Sequence, residues 1–180
     1  MLPRWASTLG WAYDLVMSRF PDGLDISGPV QAEVFVVWLS ADHLELTGPC
    51  GAAPWLIELG ETEHPLAVVE RVVRDVVGRP LLLHSTSWRR DRASVILSFV
   101  AVIEAGLVDG MESAPIGRTE LARSSATAAP ATIDYRQVVE HGLRHMAWLA
   151  HDDRVVAEAL PEDWRAVLAA YVPEPFRHLD

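Results

Sequence analysis

Residues 55–78 read WLIELGETEHPLAVVERVVRDVVG, and this stretch carries the two signals that decide the fold. The first is an extended apolar run over 53–59, which ends at Gly60-Glu61. The second is a helix predicted over Pro65–Val77, because Pro65 suits the first turn of a helix and Gly78 suits its end. The stretch therefore predicts a strand followed by an amphipathic helix. The apolar stripe of that helix comprises Leu66, Val69, Val73 and either Val76 or Val77.

Upstream of this stretch the sequence predicts one helix and two strands. Apolar residues recur at helical spacing over 5–20, and Pro21-Asp22-Gly23 ends that helix. Residues 30–39 alternate with one wholly apolar face, whereas Gln31 and Glu33 begin the other face. We therefore expect a long strand that is solvated at its first end. A short strand over 43–47 follows a tight turn.

Downstream the sequence predicts two more strands and a helical tail. The strands cover 80–88 and 93–103, and the charged segment 89–92 is predicted to be the hairpin turn between them. A long loop rich in Gly, Ser, Thr, Ala and Pro spans 109–132. The fold class predicted is α+β, a mixed β-sheet between helices with a C-terminal helical tail. Helices are predicted at 135–150, 155–160 and 161–171.

Length and composition favour one globular domain over residues 1–180. Half of the residues are apolar and 22% are charged, a balance typical of a packed domain. Its predicted parts are an N-terminal helix and loop (1–29), the sheet with its helix (30–108), the loop (109–132) and the C-terminal helices (133–180).

Charge and cysteine content limit the classes of partner. The net charge is −10, with 15 arginines and no lysine, which argues against binding to nucleic acid or to an anionic membrane surface. No apolar stretch approaches the roughly 20 residues of a membrane span. Cys50 is the single cysteine and cannot form an intramolecular disulfide. We therefore expect a cytoplasmic protein.

The order of elements over residues 30–150 resembles the Nudix superfamily. Residues 55–61 are similar to the family's aromatic residue, turn and Gly-Glu, and residues 67–78 are similar to its catalytic helix. Ile133 to Val139 resembles the start of the family's C-terminal helix. Aligned backwards from Gly78, Arg71 and Asp75 fall on conserved family positions. Val72 and Val76 fall where the family has carboxylates.

The resemblance implies Mg²⁺ chemistry on a nucleotide-like ligand, with an altered set of carboxylates. Magnesium requires several oxygen ligands, which valine does not offer. The metal ligands implied are Glu58, Glu61 and Asp75, and the catalytic residues implied are Glu61, Glu70 and Asp75. Two functions stay open. One is a Nudix-like protein with a degenerate motif that binds a ligand or regulates a partner. The other is an active hydrolase of nucleoside diphosphate-linked substrates that uses relocated carboxylates.

A cluster of arginines beside a tryptophan is the candidate ligand-binding surface. Arginine binds phosphate through two hydrogen bonds, and tryptophan can stack on a base. The alternative is a polar hairpin tip that offsets nearby acids. The residues proposed to bind the ligand are Trp88, Arg89, Arg90, Arg92 and Trp55.

Two further features concern metals and assembly. His141 and His145 stand four apart on a predicted helix, a spacing that can bind a metal, but we expect surface histidines. The tail helices and the many tryptophans also fit a homodimer interface.

Overall fold

The computed structural model describes residues 28–41, 43–48, 51, 53–119 and 133–171. The N-terminal helix expected over 5–20, Cys50 and residues 120–132 of the predicted loop lie outside these residues. The described elements are β1 (Val30–Ser40), β2 (His43–Thr47), β3 (Trp55–Leu59), α1 (Pro65–Val77), β4 (Leu82–Asp91), β5 (Ser94–Val102), a 3₁₀ turn (Ala105–Leu107), β6 (Ser113–Pro115), α2 (Tyr135–Asp152), α3 (Arg154–Ala159) and α4 (Glu162–Ala169).

The described strands form one mixed six-stranded sheet in the order β4-β5-β1-β2-β6, with β3 also paired to β1. The first half of β1 pairs antiparallel with β3, and its second half pairs antiparallel with β2. On its other side β1 runs parallel to β5, and β5 forms an antiparallel hairpin with β4. Strand β1 is therefore the centre of the sheet, and within the described chain β4 is an edge strand.

Helices cover both faces of the sheet. On one face Ala32, Val34 and Val36 pack with the α1 residues Val69 and Val73, a side called here the α1 face. On the other face the apolar side chains of β1, β2 and β5 pack with α2, α3 and α4, and this side is called the tail face. The predicted mixed sheet between helices is confirmed at this level. In the described residues no helix has both the length and the apolar content needed to cross a membrane.

The helix ends follow local sequence signals. Pro65 occupies the first turn of α1, and Gly78 ends it with a positive φ of 98° while its N–H bonds to the carbonyl of Arg74. Asp134 caps α2 through a capping box with Gln137, and Asp153 caps α3. Each of these signals lies within a few residues of the helix end that it sets. The structure confirms the predicted helix at 65–77 and the predicted helices of the tail.

The hairpin between β4 and β5 differs from the prediction. The turn is the two-residue pair Arg92-Ala93, with Arg92 at φ 53°, and Asp91 still pairs with Ser94. Arg89 and Arg90 are thus strand residues whose side chains point to opposite faces of the sheet. The charged residues 89–92 suggested a loop because charged side chains are usual in loops. Those of residues 89–91 are tolerated here in a strand because this end of the edge strand β4 is exposed to solvent.

A short strand inside the predicted loop and the burial of Glu33 also differ from expectation. Residues 113–115 form β6, which pairs with β2. Glu33 is 1% exposed rather than solvated. Tertiary contacts from β4 and β5 decide that burial.

Candidate functional site

The three predicted metal ligands lie in three separate places. Glu58 is exposed on β3, and strand alternation places it opposite Trp55, Ile57 and Leu59, which pack on the α1 face. Glu58 is therefore on the tail face of the sheet. Glu61 lies in the turn before α1, and Asp75 lies in the last turn of that helix. Asp75 is therefore about 15 Å along the helix axis from Pro65, the first residue of α1, at a rise of roughly 1.5 Å per residue.

In the described part of the chain, these carboxylates are not gathered into one cluster. In the ranges that the structure describes, no group of three or more His, Cys, Asp or Glu side chains is arranged to hold a metal ion. The catalytic set is dispersed in the same way, since Glu70 lies mid-helix between Glu61 and Asp75.

Two of the acids beside α1 are engaged with arginines. Glu70 pairs with Arg74 one turn later, with 2.5 Å between Oε1 and Nη2. Glu63 accepts from Gly60 N–H at 3.3 Å and pairs with Arg71 at 3.3 Å. All four side chains are at least one third exposed, so each pair contributes only roughly 0.2–1 kcal/mol to stability. These contacts tie the acids to the helix surface.

The two valines at the family's acidic positions have different environments. Val72 is half-buried and packs against the core of the α1 face. Val76 is 59% exposed in the last turn of the helix. A carboxylate at position 76 would be solvated without cost, so the valine there is not required by the core.

Arg89 does not extend into solvent from the hairpin. Its guanidinium donates through Nη1 and Nη2 to the two carboxylate oxygens of Glu33, the second at 2.6 Å. Ser98 Oγ donates to the same carboxylate at 2.6 Å. The side chains of Glu33 and Arg89 are 2% and 24% exposed, so this is a buried ion pair on the tail face. Arg89 and Ser98 thus supply the hydrogen bonds and the positive charge without which a buried carboxylate such as Glu33 would destabilise the fold.

The remaining ligand candidates separate into an exposed group and a buried residue. Trp88 is 46% exposed, and Arg90, two residues later on the same face of β4, is exposed as well. Arg92 is exposed at the hairpin turn. Trp55 is only 5% exposed and packs in the core of the α1 face. The structure therefore groups Trp88, Arg90 and Arg92 at one end of the sheet edge, called here the β4 tip, and leaves Trp55 inside.

Two clusters were missed from the sequence. On the tail face the ring of His84 from β4 lies 5.0 Å, centroid to centroid, from the ring of His145 on α2. The expectation of surface histidines holds for the exposed His141 but not for the half-buried His145. The alternation of Leu82 and His84 on one face of β4 was the available signal, but no local pattern pairs β4 with α2.

The second missed cluster surrounds Glu140, which is 1% exposed on α2. Arg118 and Arg144 donate to its carboxylate at 2.9 and 2.7 Å, and Thr119 N–H donates at 3.3 Å. Burial opposes ionisation of Glu140, but these donors outweigh it and hold the pKa of its carboxyl below the usual value. Arg118 also donates to the carbonyl of Ala170 and lies 4.3 Å over the ring of Tyr171. This cluster ties the loop after β6 to α2 and α4.

Comparison with models of known protein families and with curated proteins finds no match for the sequence.

Proposed function

We propose that the chain is a non-catalytic binding protein with a Nudix-like layout and a degenerate Nudix motif. The observation that supports this best is the state of α1. Valines stand at two of the family's carboxylate positions, and one of them is solvent-exposed. Once metal binding is no longer selected for, such positions are free to become apolar.

The dispersal of the other acids supports the same proposal. A hydrolase of this type needs several carboxylate oxygens around one Mg²⁺ ion, which then bridges to the substrate phosphates. Here Glu58 and Asp75 are on opposite faces of the sheet, and Glu70 pairs with Arg74. Catalysis would require these groups to leave their present positions.

The surface proposed to bind a ligand is the β4 tip. Arg90 and Arg92 supply positive charge for an anionic group, and the exposed indole of Trp88 supplies a face for stacking. This combination fits a small nucleotide-like ligand in a protein whose net charge is −10. The local cations would offset the general repulsion of an anion.

The first experiment is calorimetric titration of the full chain with ADP-ribose, with and without Mg²⁺ or Mn²⁺. We expect binding that does not depend on the metal. Trp88→Ala and Arg90→Ala should weaken it, whereas Arg165→Ala, which removes an exposed arginine from α4, should not. A hydrolysis screen of nucleoside diphosphate-linked substrates runs in parallel. Turnover that is lost in both Glu61→Gln and Asp75→Ala would replace this proposal with an active hydrolase.

Exposed apolar side chains also support a homodimer as the binding partner. Trp148 on α2 and Val155 on α3 are 41% and 64% exposed. Large apolar side chains left exposed in this way are typical of an interaction surface. We expect sedimentation velocity at micromolar concentration to give a dimer. The double variant Trp148→Ser, Val155→Ser should shift it to a monomer, whereas a monomer in the unaltered chain would remove the homodimer from the proposal.

A further inference from the structure

Helix α2 lies unusually close to the hairpin of β4 and β5. A Cβ atom on Gly142 would come within 2.8 Å of Val100 Cγ2 on β5 and 3.4 Å of Thr86 Cγ2 on β4. Thr86 is at the irregularity in the register of β4, where its hydroxyl donates to the carbonyl of Ser98. Because glycine permits this approach, His145, one turn later on α2, reaches His84.

The two histidine rings face a shared, largely apolar interface. Their planes are tilted by 60° at a centroid distance of 5.0 Å. His84 Nε2 and His145 Nδ1 are both buried and have no hydrogen-bond partner among the described residues. A buried polar atom without a hydrogen-bond partner lowers the stability of the fold by roughly 1–3 kcal/mol. Two such nitrogens on neighbouring rings therefore favour a bound group that both of them contact.

The protonation state of the pair suits a metal ligand. Burial, with a smaller contribution from His145, lowers the pKa of His84 from 6.5 to about 4. Burial, followed by the charge of His141, lowers the pKa of His145. Both rings are therefore neutral near pH 7, and the neutral ring is the form that binds a metal.

The geometry also suits one shared ion. Two imidazoles bound to the same zinc ion, each through a bond of about 2.0–2.1 Å, place their ring centroids about 5–6 Å apart. The observed separation of 5.0 Å falls at the near end of that range. Imidazole nitrogens favour Zn²⁺, Cu²⁺ or Ni²⁺ and are poor ligands for Mg²⁺.

The charges around the pair come from two elements. Asp153, the cap of α3, exerts a negative field at His84. On α2, His141 lies one turn before His145, and the charge of Arg144 acts on His141. Within the described ranges, no group of three or more His, Cys, Asp or Glu side chains includes the pair, so the proposed site has two protein ligands.

We propose that His84 Nε2 and His145 Nδ1 bind one divalent transition-metal ion, Zn²⁺ or Cu²⁺, between strand β4 and helix α2. The site is separate from the acidic residues of α1 and from the β4 tip. Occupancy would satisfy both buried nitrogens and cross-link the edge of the sheet to the tail helices.

The test is titration of the full chain with Zn²⁺ and with Cu²⁺ in a non-coordinating buffer. We expect one ion per chain, and about tenfold or more weaker binding in His84→Gln and in His145→Gln. His151→Gln, which alters an exposed histidine at the end of the same helix, is the matched control and should bind as the unaltered chain does. Absence of binding, or equal affinity in all four proteins, would overturn the proposal.

One readout on the unaltered chain keeps the test decisive if a variant fails to fold. The electron paramagnetic resonance spectrum of the Cu²⁺ complex should show coupling to two nitrogen atoms. A spectrum without coupling to two nitrogens would assign the ion elsewhere.

Discussion

At the scale of single residues, the chain places charged and titratable groups where a strand pattern alone predicts solvent. Glu33 alternates with apolar neighbours at the start of β1, yet it is buried because Arg89 and Ser98 reach it from β4 and β5. A buried carboxylate is tolerated only when it is paired in this way. The contact between Glu33 and Arg89 joins residues 56 positions apart in sequence, so no local pattern shows it.

Removal of Arg89 is expected to destabilise the fold strongly. Arg89→Met leaves Glu33 buried without its cation, which costs about 3–5 kcal/mol of unfolding free energy. Urea unfolding followed by circular dichroism measures this loss. Arg165→Met, which alters an exposed arginine on α4, should change the stability by less than about 0.5 kcal/mol. Equal effects of the two substitutions would contradict the assignment of a buried pair.

His84 is expected to make the fold sensitive to mild acid. In the unfolded chain His84 takes up a proton below about pH 6.5, whereas in the folded chain its lowered pKa delays this to about 4. Its contribution to stability is therefore complete above about pH 6.5 and is lost as pH falls from there towards 4. The lost free energy is on the order of 3 kcal/mol, at about 1.36 kcal/mol per pKa unit.

The measurement is the urea midpoint at about pH 7.5, 6 and 5 in the presence of a chelator. In the unaltered chain the midpoint should fall as pH falls, and in His84→Gln the fall should be smaller. His151→Gln should retain the full dependence, since that residue is exposed. A dependence unchanged by His84→Gln would assign the acid sensitivity to other groups.

At the scale of elements, the contact of α2 with the sheet depends on one glycine. Gly142→Ala adds a methyl group that meets Val100 Cγ2 at 2.8 Å. Alanine favours a helix over glycine by about 1 kcal/mol, but overpacking a core costs typically 1–3 kcal/mol. We expect net destabilisation of roughly 1 kcal/mol together with a change in the environment of His145.

Thermal unfolding and the histidine resonances in a nuclear magnetic resonance spectrum would check this expectation. Gly106→Ala is the matched control, because a Cβ atom at Gly106 meets nothing within 4 Å. A Gly142→Ala protein that is more stable than the unaltered chain, with unchanged resonances for His84 and His145, would show that the close approach of α2 does not position the pair.

At the scale of the whole molecule, the two faces of the sheet have different attachments. Helix α1 follows β3 closely along the chain, whereas the tail helices return to the sheet after a long connection and are tied by Arg118. Arg118 joins Glu140 of α2, the carbonyl of Ala170 after α4, and the ring of Tyr171. One side chain thus links the loop after β6 to α2 and to the segment that follows α4.

Arg118→Ala is expected to loosen the tail layer without disturbing α1. Glu140 would keep Arg144 as a partner, so we expect a loss of roughly 1–3 kcal/mol, the cost of a buried charged group left partly unsatisfied. Hydrogen exchange measured by mass spectrometry should become faster in α4 and remain unchanged in α1. Arg165→Ala is the control on the exposed side of α4, and uniform acceleration across the chain would contradict a local attachment.

The elements of the fold were determined by the sequence alone to a large extent. The bounds of α1 and β2 agree with prediction, because helix ends, turns and the period of apolar residues are encoded within a few neighbouring positions. The limits that composition and net charge place on the class of domain and of partner likewise follow from the sequence alone. Only the tertiary structure decided the strand order, the face on which Glu58 lies, and the pairing of Glu33 with Arg89 and of His84 with His145. Each of these depends on contacts between segments far apart in the chain, and the free energy that selects them comes from burial and pairing across the sheet, which local periodicity does not specify.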